Sequence, residues 1–309
     1  MKIIFMGTPE FAVPSLIKLT ENNYKPVAVV TGLDKKQGRG QKLISTPVKI
    51  IAEKLNIPLI QPLNLKDPAF LKQIKSIDAD LACVVAFRIL PEEMLTIPKM
   101  GTINLHGSLL PFYRGAAPIQ RAIMAGEKET GVTTFFIKKT VDTGNILLQD
   151  SLKIDANEDF GSVHDRLSEL GGDLLLETVK GVNSGNIEER KQDDSLATNA
   201  PKINASDLNI NWSNSAKSIH DQVRGLSPFP GLSTKLMNKK IKIFKSEVED
   251  EIPAKFSPGE VASVEKEFFT VSTGKGGLRI LELQREGKNR IRSADFLRGM
   301  DVSVGEKLD

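Results

Sequence analysis

The first half of this chain switches repeatedly between two hydrophobic periods, and that alternation limits the folds open to it. Residues 2–6 are a short, mostly apolar run, and residues 10–22 follow with Phe11, Leu16 and Leu19 at helical spacing. Residues 27–31 are a mostly β-branched run, and residues 47–56 carry Val48, Ile51, Ala52 and Leu55 as a helical stripe that opens on Pro47. The run Leu81-Ala82-Cys83-Val84-Val85-Ala86 is continuously apolar, as in a strand buried on both faces. Residues 102–105 read as another strand and residues 117–125 as a short helix. Residues 132–137 and 146–148 read as paired strands, and residues 160–182 as a long amphipathic helix. Strands alternating with helices predict an α/β domain built on a doubly wound, mostly parallel sheet.

Beyond residue 183 the polarity rises and the periodicity fades. Asn183-Ser184-Gly185-Asn186, Asp193-Asp194-Ser195 and Ala200-Pro201 read as a linker over 184–206. A helical piece at 215–225 precedes five short strand-like runs, at 232–236, 240–244, 259–264, 268–272 and 278–283. Such spacing predicts a small all-β barrel of the oligonucleotide-binding (OB) type. The expected organisation is a first domain over 1–183, the linker, and a second domain over 207–309. A length of 309 residues is enough for two cores.

Charge and cysteine usage exclude several classes. The net charge is +3, and residues 201–309, with 18 basic and 15 acidic side chains, hold the whole surplus. No apolar run approaches the roughly 20 residues of a membrane helix, and the N-terminus lacks the long apolar stretch of a signal peptide. A soluble, cytoplasmic protein is expected. The single cysteine, Cys83, lies within an apolar strand and reads as a buried structural thiol. No Cys/His cluster suggests a metal, so none is expected. Gly7-Thr8-Pro9-Glu10 stands where a dinucleotide fingerprint would stand, but it lacks G-x-G-x-x-G, and Pro9 occupies the second glycine position. Nicotinamide cofactors are therefore disfavoured.

One polar constellation stands out. Asn104 and His106 are two residues apart, so both side chains leave an extended strand on the same side. Gly107-Ser108 then carries the chain out of the sheet. Asp142 lies in a second loop, Val141-Asp142-Thr143-Gly144. An amide, an imidazole and a carboxylate can polarise a carbonyl, hold an oxyanion and move a proton. The residues alone leave open whether Asp142 reaches His106. His164 and His220 fall on amphipathic helical stretches and read as packing or surface residues.

The string Asn104-Leu105-His106-Gly107-Ser108-Leu109-Leu110-Pro111-Phe112-Tyr113-Arg114-Gly115 resembles the signature of the 10-formyltetrahydrofolate-dependent formyltransferases. The resemblance implies a formyltransferase-type Rossmann-like catalytic domain, with 10-formyltetrahydrofolate as donor co-substrate and no metal. It implies a catalytic trio of Asn104, His106 and Asp142. It also implies a folate pocket from Arg88, Ile89 and Leu90, from Ser108, Leu109, Leu110 and Pro111, and from Val141 and Gly144. Gly7-Thr8-Pro9-Glu10-Phe11-Ala12-Val13-Pro14, Ile210-Asn211-Trp212 and Leu226-Ser227-Pro228-Phe229-Pro230-Gly231 are similar to motifs of members whose acceptor is methionyl-initiator tRNA. In those members a loop enters the acceptor end of the tRNA. Here the matching loop, 32–42, carries Lys35, Lys36, Arg39 and Lys42 against one acid, Asp34. It departs from the family pattern in having Gly32-Leu33-Asp34-Lys35 in place of Pro-Asp-x-Pro.

The implied chemistry is attack by the methionine α-amine on the formyl carbon, with no covalent enzyme intermediate. Asn104 and a protonated His106 would stabilise the oxyanion, and Asp142 would orient His106 and relay a proton. A monomer acting on tRNA is expected. The alternative acceptor is an amino-sugar nucleotide, used by relatives that share the trio but differ in the loop and the C-terminal half. A non-catalytic RNA-binding role is disfavoured by the intact trio.

Overall fold

A computed structural model describes residues 1–37 and 41–309. The chain divides into two compact units. The first comprises Met1–Gly115, Thr130–Leu152 and His164–Ala200, and the second Ala116–Glu129, Lys153–Val163 and Pro201–Asp309.

The first unit is organised by strands β1 (Ile3–Gly7), β2 (Ala28–Val30), β3 (Leu59–Ile60), β4 (Leu81–Val85), β5 (Thr102–His106), β6 (Glu129–Phe136) and β7 (Ile146–Lys153). They form one sheet in the order β7-β6-β5-β4-β1-β2-β3. The pairings from β5 through β4, β1 and β2 to β3 are parallel, and β6 joins β5 antiparallel. All five residues of β1 and of β4 are buried, which explains their unbroken apolar sequence. Burial also pushes the Cys83 thiol up, so it stays protonated. Proline opens α1 (Val13–Glu21), α2 (Pro47–Lys54) and α3 (Pro68–Ser76) within their first two positions. Thr46 and Asp67 cap the last two by accepting from the Lys49 and Ala69 amides. The registers Gly7–Val85 and Val85–Leu105 set the C-terminal ends of β1, β4 and β5 side by side. In a parallel sheet that edge is where a site forms.

Two parts of this unit depart from the expected outline. The basic loop contains an antiparallel hairpin, Lys35–Gln37 paired with Lys42–Ile44. The segment expected as a linker is structured as far as Ala200: Gln192 and Ala200 are buried, and Asn199–Ala200 pairs with Arg114–Gly115. Polar composition concealed this, because the segment is held by hydrogen bonds rather than by an apolar face.

The second unit is a sheet of β8 (Leu232–Leu236), β9 (Lys239–Glu249), β10 (Val261–Val264), β11 (Phe269–Ser272) and β12 (Gly277–Arg285) in the order β8-β9-β12-β11-β10. A sixth strand, β13 (Arg290–Arg292), pairs with β12. All these pairings are antiparallel. The last residues close the sheet on itself. Lys235 of β8 exchanges two backbone hydrogen bonds with Asp309, while Val261 and Gly259 at the β10 edge bond Glu306 and Leu308. Leu308 is 1% exposed and joins a core of Trp212, Ile219, Phe269 and Leu283. Leu308→Ala should therefore lower stability by about 2–5 kcal/mol, read by urea denaturation of the Trp212 signal. An unchanged midpoint would show that the closing segment carries no packing weight.

Candidate active site

β5 delivers Asn104 and His106 to the strand-end edge. His106 is buried, and its Nε2 lies 2.9 Å from the Tyr113 carbonyl oxygen. A carbonyl only accepts, so Nε2 carries the hydrogen. That leaves Nδ1 as the ring atom facing Asp142, whose Oδ2 is 3.8 Å away. Asn104 is half-buried, and its carboxamide has no side-chain partner among the described residues. An amide donor without a partner is the kind of group that can turn to an oxyanion.

Asp142 adopts φ of +54°, in the left-handed region, which is uncommon outside glycine but which Asp enters more readily than most residues. Three contacts hold it there. The Gly115 amide donates to Asp142 Oδ2 at 2.9 Å. Gln192 Nε2 donates to the Asp142 carbonyl at 2.9 Å and to the Gly144 carbonyl at 2.7 Å. Gly144 itself has no room for a side chain, since a Cβ there would fall 1.5 Å from the Phe136 carbonyl oxygen.

The turn after His106 is locked from beneath. The Ser108 hydroxyl donates to the Phe112 carbonyl, and Thr133 Oγ1 donates to the Ser108 carbonyl and accepts from the Leu110 amide. Gln149 Nε2 donates to the Leu110 carbonyl and to Thr133 Oγ1. Leu110 packs against Phe135 and Ile146. Leu109 and Pro111 are half-buried along the same turn.

Arg88, Ile89 and Leu90 leave the sheet from the end of β4, beside β5. Arg88 donates to the Pro62 and Leu63 carbonyls and lies over the Phe87 ring, while burial lowers its pKa from the ordinary arginine value. Ile89 is 79% and Val141 49% exposed, so apolar surface stands open at two positions expected to meet a folate. Leu90 packs inward. Sequence reasoning did not find Gln192, Arg114, Thr133 or Gln149 as part of this machinery. Only Arg114 lay within a motif, and nothing in a polar stretch signals that its glutamine is buried. The other two histidines have packing roles: His164 lies against Phe11, and His220 is buried between Ser246 and the Ala156 carbonyl. Among the described residues no group of His, Cys, Asp and Glu could hold a metal ion, and no helix is long and apolar enough to cross a membrane.

Of the basic positions in the loop, Lys35 and Lys36 are exposed on the first hairpin strand. Lys42 lies on the second strand, and Arg39 falls outside the described residues. The hairpin's base is tied to α2 and β3. Lys49 Nζ is 2.6 Å from Asp34 Oδ2, and Gln61 Nε2 donates to Asp34 Oδ1 and to the Gly32 carbonyl. The hydrogen bond from Lys49 holds the Asp34 carboxyl below its usual range, and the same bond raises Lys49. The depressed Asp34 contribution is fully present above the ordinary aspartate pKa of about 3.9 and is lost as pH falls through the folded value. The raised Lys49 contribution is fully present below about 10.4 and is lost as pH rises through the folded value. Amide NMR shifts of the hairpin should thus stay constant between these limits and move only outside them. A transition near neutrality would contradict the clasp.

Comparisons with known proteins place the chain in a family. Residues 1–179 match the family described as formyl transferase, and residues 202–301 match the formyl transferase C-terminal domain. The methionyl-tRNA formyltransferase of Citrifermentans bemidjiense is 45% identical over 309 residues, spanning all of this chain and 96% of its own. That of Caldanaerobacter subterraneus subsp. tengcongensis is 44% identical with both chains fully covered. Among solved structures, an N-formyltransferase from Helicobacter canadensis, in complex with folinic acid and dTDP-3-aminofucose, superposes with a TM-score of 0.71. That match covers 92% of this chain and 99% of the other, at 22% identity. HypX from Aquifex aeolicus in complex with tetrahydrofolic acid gives 0.66, covering 99% of this chain and 48% of its own, at 20% identity. At such identities the two structures speak for the fold.

Proposed function

The chain belongs to the formyl transferase family, and from that premise we propose that it transfers the formyl group of 10-formyltetrahydrofolate to the α-amine of methionyl-initiator tRNA. The observation that carries the acceptor is full-length similarity, at 42–45% identity, to methionyl-tRNA formyltransferases. The amino-sugar enzymes are similar at the level of fold. The product serves translation initiation, and a cytoplasmic monomer is the form that we assign to it.

The roles follow from the site. A free α-amine with a pKa of about 7.7–8.0 is partly neutral near pH 7 and can attack the formyl carbon. Asn104 Nδ2 donates to the oxyanion that develops there. His106, fixed through Nε2 on the Tyr113 carbonyl with Nδ1 facing Asp142, stabilises the same oxyanion through its positive charge when protonated. Asp142 orients that ring and passes a proton, through a water, from the amine towards the departing N10. Exposed apolar side chains at Ile89 and Val141, with the turn 108–111, offer the folate ring a surface to cover. Lys35, Lys36, Arg39 and Lys42 meet the phosphates and base edges of the acceptor end. The surplus positive charge of residues 201–309 adds salt-dependent attraction to the tRNA backbone.

The acceptor assignment is tested at the hairpin. Lys35→Ala with Lys36→Ala should raise KM for charged tRNA. The slope of log KM against log salt should flatten by about one for each phosphate that the variant no longer neutralises. KM for the folate should stay unchanged. An amino-sugar acceptor would leave every one of these constants where it was.

A further inference from the structure

We infer that Gln192, held by Arg114, is a positioning residue for the reaction and sets the pose of Asp142. The inference rests on the reading of Asp142 as the residue that orients His106. Gln192 is 5% exposed, and every polar site of its carboxamide that faces this loop is engaged. Its two amide hydrogens go to the Asp142 and Gly144 carbonyls, at 2.9 and 2.7 Å. Its Oε1 accepts from Arg114 Nε at 3.1 Å and from Nη2 at 2.7 Å. Arg114 is fixed in turn by Asp194 at 2.7 Å.

The consequence lies in which atoms are held. Asp142 sits at φ +54°, in the left-handed region that few non-glycine residues occupy and that Asp tolerates better than most. One hydrogen bond, from the Gly115 amide, fixes its side chain. The Gln192 bonds fix its peptide and the one two residues on. Carboxylate and backbone are thereby pinned separately, and Oδ2 is aimed at His106 Nδ1. Arg114 and Gly115 are chain neighbours, so the residue that grips Gln192 precedes the one that grips Asp142. The short pairing of Asn199–Ala200 with Arg114–Gly115 and the bond from the Tyr113 amide to Thr198 Oγ1 secure this frame. Only a carboxamide satisfies the arrangement, since it must donate twice on one side and accept on the other. A carboxylate at 192 would still accept from Arg114 but would set an oxygen against two carbonyls.

The test uses the full-length enzyme with 10-formyltetrahydrofolate and methionyl-initiator tRNA, and the variants Gln192→Glu, Gln192→Met and Asp142→Asn. Gln192→Glu and Gln192→Met should lower kcat by about 10- to 100-fold, the scale expected for a slight misplacement of a reacting group. KM for the tRNA should stay within about twofold, because the loop that Gln192 holds carries none of the tRNA-facing lysines, and the loss should fall mainly on kcat even where the displaced 141–144 loop raises KM for the folate. Rates are expressed per folded molecule, from circular dichroism and thermal melting. Normal kcat in the folded variants, with Asp142→Asn inactive, would overturn the inference and leave the reading of Asp142 intact. Normal turnover in Asp142→Asn would overturn that reading and the inference with it. Failure of both Gln192 variants to fold would make the residue a structural one and equally overturn the inference.

Discussion

Asn104→Ala should lower kcat for formyl transfer by about 10²–10³, the loss typical of one oxyanion donor. The expectation rests on the state of the side chain. Asn104 is half-buried on β5, two residues before His106, and its carboxamide is engaged by no other described side chain. Removing it leaves the sheet register with Val84 and Phe135 unaltered, because that register is made by backbone groups. The loss should therefore fall on kcat, with KM for the folate and the tRNA little changed, and thermal stability should be retained. A steady-state assay in both substrates reads this directly. A fall in stability equal to the fall in rate would identify Asn104 as a packing residue.

Phe135→Ala should cost about 3–5 kcal/mol of stability. Phe135 is 1% exposed, packs with Leu110 and Ile146, and lies against the position that a Gly144 side chain would need. Both loops of the candidate site rest on it: the turn 107–113 through Leu110, and the Asp142 loop through Gly144. A cavity at this point should loosen both, so the denaturation midpoint in urea and kcat should fall together. A stable variant with full activity would mean that neither loop depends on this packing.

Much of the architecture was legible because burial on two faces leaves an unmistakable record. β1 and β4 are apolar runs at the positions expected, β5 lies where a strand was expected, and α1 and α2 carry their helical stripes. What escaped had no such record. β3 is two residues long, too short for any period, and the hairpin strand Lys35-Lys36-Gln37 has no apolar alternation. α3 did leave a readable sign, Asp67 capping a helix that opens on Pro68, although its stripe is only Phe70, Leu71 and Ile74. The segment 184–200 reads as a linker because its fixed residues are polar. Its order comes from Gln192, Thr198 and the bonds that they make across the chain, which sequence spacing does not reveal. The site divides in the same way. Asn104, His106 and Asp142 could be nominated as candidates from chemistry and resemblance, whereas the 3.8 Å approach of His106 to Asp142 could not. The carbonyl of Tyr113 that fixes the imidazole tautomer was equally invisible.

The most direct measurement mixes the protein with 10-formyltetrahydrofolate and, in separate reactions, methionine-charged initiator tRNA or an amino-sugar nucleotide, and identifies the product after mild deacylation. Formylmethionine should form from the tRNA, and no formylated sugar should appear. A formylated sugar with no formylmethionine would contradict the proposed acceptor.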